Sequence, residues 1–210
     1  GAVYFFRLTV TDGAGNTTVD DAGGNCRSFR TRGLFCSFAD SLEPRARAGW
    51  NDGGRWRVAE NALARSPAHA WAIDGDGRKG EATLTLPVFR AAAGSVLELW
   101  HTFELANGLS GGIVEGSMDG GETWIDLEPG IFEGGYASFM LPGSSLEGRR
   151  AWTGGKLGAM TRVGVALDSL GEGEIHVRLR WASQAIGTEG SWLVDDVSVC
   201  HAVAEKASIG

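Results

Sequence analysis

Residues Leu97 to Trp124, LELWHTFELANGLSGGIVEGSMDGGETW, constrain this chain more than any other stretch. Val96 to Phe103 is an apolar and aromatic run of strand length. Ile113 to Ser117 is a second, shorter one, entered through Gly111-Gly112. The chain then carries the Asp-box pattern S-x-D-x-G-x-T-W at each fixed position: Ser117, Asp119, Gly121, Thr123 and Trp124. Ser117 and Asp119 can take backbone N–H groups of a tight turn, and the glycines supply its positive-φ positions. Trp124 is expected to close the hairpin by packing onto the core. The pattern specifies a hairpin and is nearly silent about chemistry.

The rest of the chain reads as more sheet. Among 210 residues there are 33 glycines, which punctuate many short apolar runs, and this predicts an all-β sandwich or barrel. Helical patterning is short: Val58–Arg65 and Val88–Ala93 offer a turn or two each. A net charge of −7 argues against binding nucleic acid through its backbone. No apolar stretch approaches the ~18 residues of a membrane span. Cys26, Cys36 and Cys200 lack C-x-x-C spacing, so one disulfide and one leftover thiol is the better arithmetic than zinc.

In chain order, residues 1–32 read as the end of a preceding module: a strand Val3–Val10, a turn 11–16 and a second strand Cys26–Thr31. The strand's face of Tyr4, Phe6, Leu8 and Val10 is wholly apolar and calls for a cover. From Gly33 onward come strands at Leu34–Phe38, Trp56–Ala59, Ala70–Ile73, Glu81–Leu86, Arg162–Leu167, Ile175–Trp181 and Gly190–Val199. Asp74-Gly75-Asp76-Gly77 reads as a turn. In Ile175–Trp181 the odd positions face inward, and His176, Arg178 and Arg180 form an outward basic stripe.

The ordered pieces Asp40-Ser41-Leu42-Glu43, Gly49-Trp50, Leu84-Thr85-Leu86-Pro87, Leu99–Leu105, Gly111–Glu115, Ser117–Trp124, Val177–Trp181 and Gly190–Val197 carry a resemblance. Residues 33–202 resemble the MAM-like and cleaved-adhesin jelly rolls of secreted bacterial proteins. The segment YFFRLTVTDGAGNTT resembles the closing strands of fibronectin type III-like or immunoglobulin-like modules. The resemblance implies an all-β, two-sheet sandwich of concanavalin-like jelly-roll topology with an N-terminal ribbon and a tail at 203–210. It implies a non-catalytic extracellular or cell-surface accessory module, attached to neighbouring domains of a parent protein. Its ligand would be a protein or a glycan; the alternative is a carbohydrate-binding module serving a secreted hydrolase or protease.

Related jelly rolls hold a structural Ca²⁺ where the first and last strands meet, and Glu43, Glu81 and Asp196, with Asp195 as alternate, match its acidic positions. The residues add a reason, because adjacent carboxylates inside an apolar strand are costly unless a cation or donors satisfy them. The same strand adjacency implies a Cys36–Cys200 disulfide, with Cys26–Cys200 competing. For a sugar-stacking surface, Tyr136 and Trp152 in a Gly-rich loop are the expected exposed pair, while Trp100, Trp124 and Trp181 are expected in the core. His101, Glu104 and Glu115 can be drawn together as a catalytic group. No nucleophile elbow or H-E-x-x-H supports it, and a structural histidine is the preferred reading.

Overall fold

A computed structural model describes residues 3–6, 8–20, 27–30, 33–43, 48–184 and 189–203. The chain forms two compact units, Cys36–His201 and a smaller one of Gly1–Phe35 with Ala202–Gly210. In the smaller unit, β1 (Val3–Phe6) pairs with β4 (Arg27–Arg30), and β2 (Leu8–Thr11) pairs with β3 (Thr17–Asp20). The expected single strand Val3–Val10 is thus two segments with different partners. The β2–β3 turn is tied by Asp12, whose carboxylate accepts the N–H groups of Ala14 and Asn16 at 2.9 Å each. Leu8 and Val10 stand exposed on one face of this hairpin. The side chains of Tyr4 and Phe6 lie outside the described residues, as does Cys26.

The larger unit is a β-sandwich. Its strands are β5 (Gly33–Asp40, entering from the smaller unit), β6 (Arg57–Glu60), β7 (His69–Asp76), β8 (Gly80–Thr85), β9 (Phe89–Ala91), β10 (Val96–Glu104) and β11 (Ser110–Ser117). They continue with β12 (Ile125–Asp126), β13 (Ile131–Glu133), β14 (Ser138–Phe139), β15 (Arg150–Ala151), β16 (Thr161–Ala166), β17 (Gly173–Ser183) and β18 (Glu189–Val203). One sheet runs β13-β16-β10-β18-β7-β6 with β5 on β18. The other runs β12-β11-β17-β8 with β9 on β17. Strict alternation explains the core: Leu97 and Leu99 on β10 and Val163 and Val165 on β16 meet Val177, Leu179 and Trp181 on β17, all fully buried. Gly112 marks the close approach of the sheets, because a Cβ there would lie 2.2 Å from the Trp192 ring.

Three local expectations change. Val58–Arg65 and Val88–Ala93 hold strands β6 and β9 rather than helical turns, because pairing with β7 and β17 overrides weak local propensity. Asp74-Gly75-Asp76 is not a turn. β7 continues through it opposite Glu189, Gly190 and Ser191, and the Ser191 hydroxyl donates to Asp74 at 2.6 Å. The long Gly-rich segment 127–153 is a roof: Tyr136, Met140, Leu146, Ala151 and Trp152 are buried, which is why every residue of β11 is buried on both faces.

Cys36 and Cys200 form a disulfide between β5 and β18, closing a loop with a sequence separation of 164. The chain-entropy model assigns such a closure about 5 kcal/mol.

Candidate functional site

An open groove on the outer face of the larger sheet gathers Asp40 and Ser41 from the end of β5, Glu98 and Trp100 from β10, and Asp196 and Ser198 from β18. A β-bulge creates it. Ser198 pairs with Glu98 and Asp195 with Trp100, so Asp196 and Val197 together oppose Leu99. Asp196 takes the left-handed conformation with φ 46°, uncommon for a residue with a side chain and tolerated best by Asn and Asp. The bulge sends the two neighbouring carboxylates to different environments.

Asp195 is fully buried, and one oxygen accepts the N–H groups of Arg65 at 2.7 Å and Ser66 at 3.0 Å. Its other oxygen accepts the Asp196 N–H at 2.7 Å. Burial pushes its carboxyl above the ordinary range, against the opposing pull of those amides. Asp195 therefore anchors the segment 61–68 over the sheet. Asp196 lines the groove, and its side chain has no partner among the described residues. The other groove carboxylates are partly engaged. Asp40 accepts the Leu42 N–H and the Trp50 indole N–H, both at 2.7 Å, while Glu98 pairs with Arg162 at 2.5 Å. The Arg65 guanidinium lies 4.7 Å from the centre of the Trp100 ring, stacking on one face.

The residues matched to calcium do not converge. Glu81 sits on β8 of the smaller sheet, where Arg180 grips it at 2.8 and 3.0 Å. Burial alone would raise its carboxyl, but bonds from Arg180 and Ser145 outweigh that and hold it below the ordinary range. Glu43 lies 3.5 Å from His69. Asp195 is occupied by backbone donors. Among the described residues no three His, Cys, Asp or Glu side chains are grouped as a metal site. The set Glu43, Glu81, Asp195 and Asp196 does not fit one ion, because Glu81 stands on the other sheet from Asp195 and Asp196 in the grip of Arg180, and Asp195 is satisfied by backbone N–H groups.

The hairpin tip closes on its own side chains. The Asp119 carboxylate accepts the Ser117 hydroxyl at 2.7 Å, the Thr123 N–H at 2.9 Å and the Thr123 hydroxyl at 2.5 Å. Ser117 Oγ in turn accepts the Gly121 N–H at 2.9 Å, and Gly120 and Gly121 take φ of 78° and 92°. These bonds hold the Asp119 carboxyl well below its ordinary range. Trp124 is only half-buried: its indole N–H donates to the Gly121 carbonyl at 2.9 Å, and Arg178 stacks 4.1 Å from its ring centre.

Arg178 and Arg180 are not a solvated stripe. Both turn onto Glu115, opposite Arg178 on β11, whose side chain is 3% exposed. Glu115 accepts Arg178 at 2.7 Å, Arg149 at 2.8 Å and Arg180 at 3.4 Å. Arg149 also holds Asp126 at 2.7 Å. Three guanidiniums and the carboxylates of Glu81, Glu115 and Asp126 thus form one network beneath the roof.

Tyr136 and Trp152 are buried, contrary to the expected exposed pair. Their rings meet edge to face at 4.8 Å, the Tyr136 hydroxyl accepts from the Val114 N–H and donates to Asp126, and the Trp152 indole donates to the Gly134 carbonyl. Burial, with Asp126 beside it, pushes the Tyr136 hydroxyl up. Trp100, expected in the core, is instead half-buried at the groove. The alternation Leu97, Leu99, His101 inward already placed Glu98 and Trp100 on the opposite face, and that signal was available in the sequence.

His101 points into the core, where its Nδ1 accepts from the Trp192 indole at 3.3 Å and its ring packs on Phe103 and Trp152. Burial pushes its pKa down to about 3, so it is neutral. Glu104 is exposed at the end of the same strand, and Glu115 lies on the other sheet under three arginines. The three do not form a catalytic group.

No protein-family model and no curated protein matches this chain. Among solved structures it is similar to a β-sandwich carbohydrate-binding module at 12% identity and TM-score 0.46, covering 94% of this chain and 74% of that one. It is similar to the K1 cleaved adhesin domain of Lys-gingipain from Porphyromonas gingivalis W83 at 14% identity and TM-score 0.45, with coverages of 80% and 98%. It is also similar to the C-terminal family 22 carbohydrate-binding module of Xyn10B from Clostridium thermocellum at 9% identity and TM-score 0.43, with coverages of 80% and 94%. At these identities the resemblance is one of chain path.

Proposed function

We propose that this chain is a non-catalytic extracellular accessory module that attaches a larger protein to a partner through the groove at the β18 bulge. The observation that carries the reading is the groove's composition: Asp196 unengaged among the described residues, Asp40 and Glu98 beside it, and a half-buried Trp100 at its wall. Carboxylates beside an indole suit a partner that brings cationic or hydroxyl donors, and the net charge of −7 favours a basic protein surface. The Cys36–Cys200 disulfide supports an oxidising, extracellular setting. A glycan is the second reading, favoured by Trp100, because an indole face takes the apolar face of a sugar while carboxylates accept its hydroxyls.

Binding to a panel of basic proteins and to a glycan array, each read at low and high salt, separates the two. Attachment to a basic protein weakens steeply with salt, whereas glycan binding persists. Asp196→Asn keeps the left-handed backbone favourable and removes only the charge, so it tests the groove without unfolding it. Binding unchanged in both Asp196→Asn and Trp100→Ala would place the ligand elsewhere and overturn the reading.

A further inference from the structure

The disulfide stands at the place where the sandwich joins the rest of the chain. The larger compact unit begins at Cys36 and ends at His201, and the bridge links Cys36 to Cys200. Three contacts give the register around it. A Cβ added at Gly33 would lie 3.0 Å from the Val203 side chain, Cys36 bonds Cys200, and the Ser37 hydroxyl donates to the Val199 carbonyl. In each pair the residue numbers sum alike, so β5 and β18 run antiparallel. The chain enters the sandwich and leaves it at the same end of one ladder. The groove and the Glu115 network both lie within the covalent loop that the bridge closes.

From this geometry we propose that the disulfide is a mechanical tie that keeps the sandwich out of the path of tension applied along the chain. Pulling on the two flanks opens the β5–β18 ladder from its Gly33–Val203 end, one pair at a time. Opening stops at Cys36–Cys200, where load passes from one flank to the other through the S–S bond. Everything from Ser37 to Val199 hangs from that bond as an unloaded loop, so a ligand held in the groove sits on a fold that tension does not reach. The tie works whatever the ligand is, and it gives the bridge a role beyond thermodynamic stabilisation. Antiparallel ladders loaded at one end resist poorly, because their bonds break in sequence; without the bridge, the same pull would open the sandwich from its first and last strands.

The test is optical-tweezers stretching of the full chain with handles at its two ends, followed by dithiothreitol at constant force. The oxidised chain is expected to extend only by its flanks. It should withhold the length between the cysteines, 164 residues or roughly 55 nm at ~3.3–3.6 Å per residue. Cys36 is exposed, so the reductant reaches the bridge in the folded protein. At a force below that which opens the reduced sandwich, reduction should release little length; raising the force should then release the roughly 55 nm as a separate unfolding step. Release of that length without reductant would overturn the proposal. So would its release in one step at the instant of reduction, which would mean that the loop had already unfolded behind the bridge. Cys36→Ser/Cys200→Ser, stretched without reductant, is expected to behave like the reduced chain. The in-place reduction of the native protein supplies the same answer should that variant fold poorly.

Discussion

Replacing Glu115 with Gln removes one charge and almost no volume from an enclosed polar site of the sandwich. Its carboxylate is 3% exposed and receives Arg178, Arg149 and Arg180. After the substitution Arg149 retains Asp126 and Arg180 retains Glu81. Arg178 retains only the Trp124 ring. The new amide can accept one guanidinium but turns its NH₂ toward another donor. Breaking one side of a buried ion pair costs ~3–5 kcal/mol. The arginines are 16–29% exposed, so water takes over part of the lost solvation, and the expected loss is about 2–3 kcal/mol. For a domain of this size that is a fall of roughly 5–10 °C in Tm. Urea unfolding followed by tryptophan fluorescence measures it, with exposed Glu122→Gln as a control expected within about 0.5 kcal/mol of wild type. A double-mutant cycle with Arg178→Met isolates the pair, and the coupling should be at least ~1 kcal/mol. A Glu115→Gln protein as stable as the control, or a cycle that adds without coupling, would refute the network's contribution.

Asp119→Asn should destabilise the hairpin in full above the carboxylate's ordinary value of 3.8 and progressively less below it. A depressed native pKa contributes stability that is present above the unfolded value and lost as pH falls through the native one. The Tm gap to wild type, measured against pH, should therefore close in acid, and a gap that widens there would contradict the assignment. Glu81→Gln should lower Tm, chiefly through Arg180, and by the same amount in calcium and in chelator. A calcium-dependent difference would reinstate Glu81 as a metal ligand. Trp152→Ala should cost about 3–5 kcal/mol by opening a cavity beside His101, Tyr136 and Trp192. Ligand affinity of the fraction that remains folded should be unchanged, and a selective loss of binding would restore Trp152 to the ligand surface.

Period-two alternation, glycine turns and the Ser117–Trp124 pattern are local properties, and they suffice to determine that this chain is built of strands and where most of them lie. The inward row Ile175, Val177, Leu179 and Trp181 is such a case, because one buried face imposes its register on the sequence itself. What alternation cannot determine is what covers the outward row. The partners of Arg178 and Arg180 are Glu115 on β11, Glu81 on β8 and the Trp124 ring, all distant in sequence, and those contacts turn a nominally solvated stripe into an enclosed network. The same holds for the aromatics. Tyr136 and Trp152 sit in glycine-rich sequence that looks like surface loop, yet both are buried because Trp152 pairs with Gly112 at the edge of β11, its ring reaching His101 and Trp192, and Tyr136 packs on that ring. Asp195 and Asp196 are adjacent and chemically identical in sequence; a bulge defined only by pairing with β10 sends one to backbone amides and the other to the groove. Side-chain period is a property of one strand, whereas burial of its second face is a property of whatever the rest of the chain lays across it.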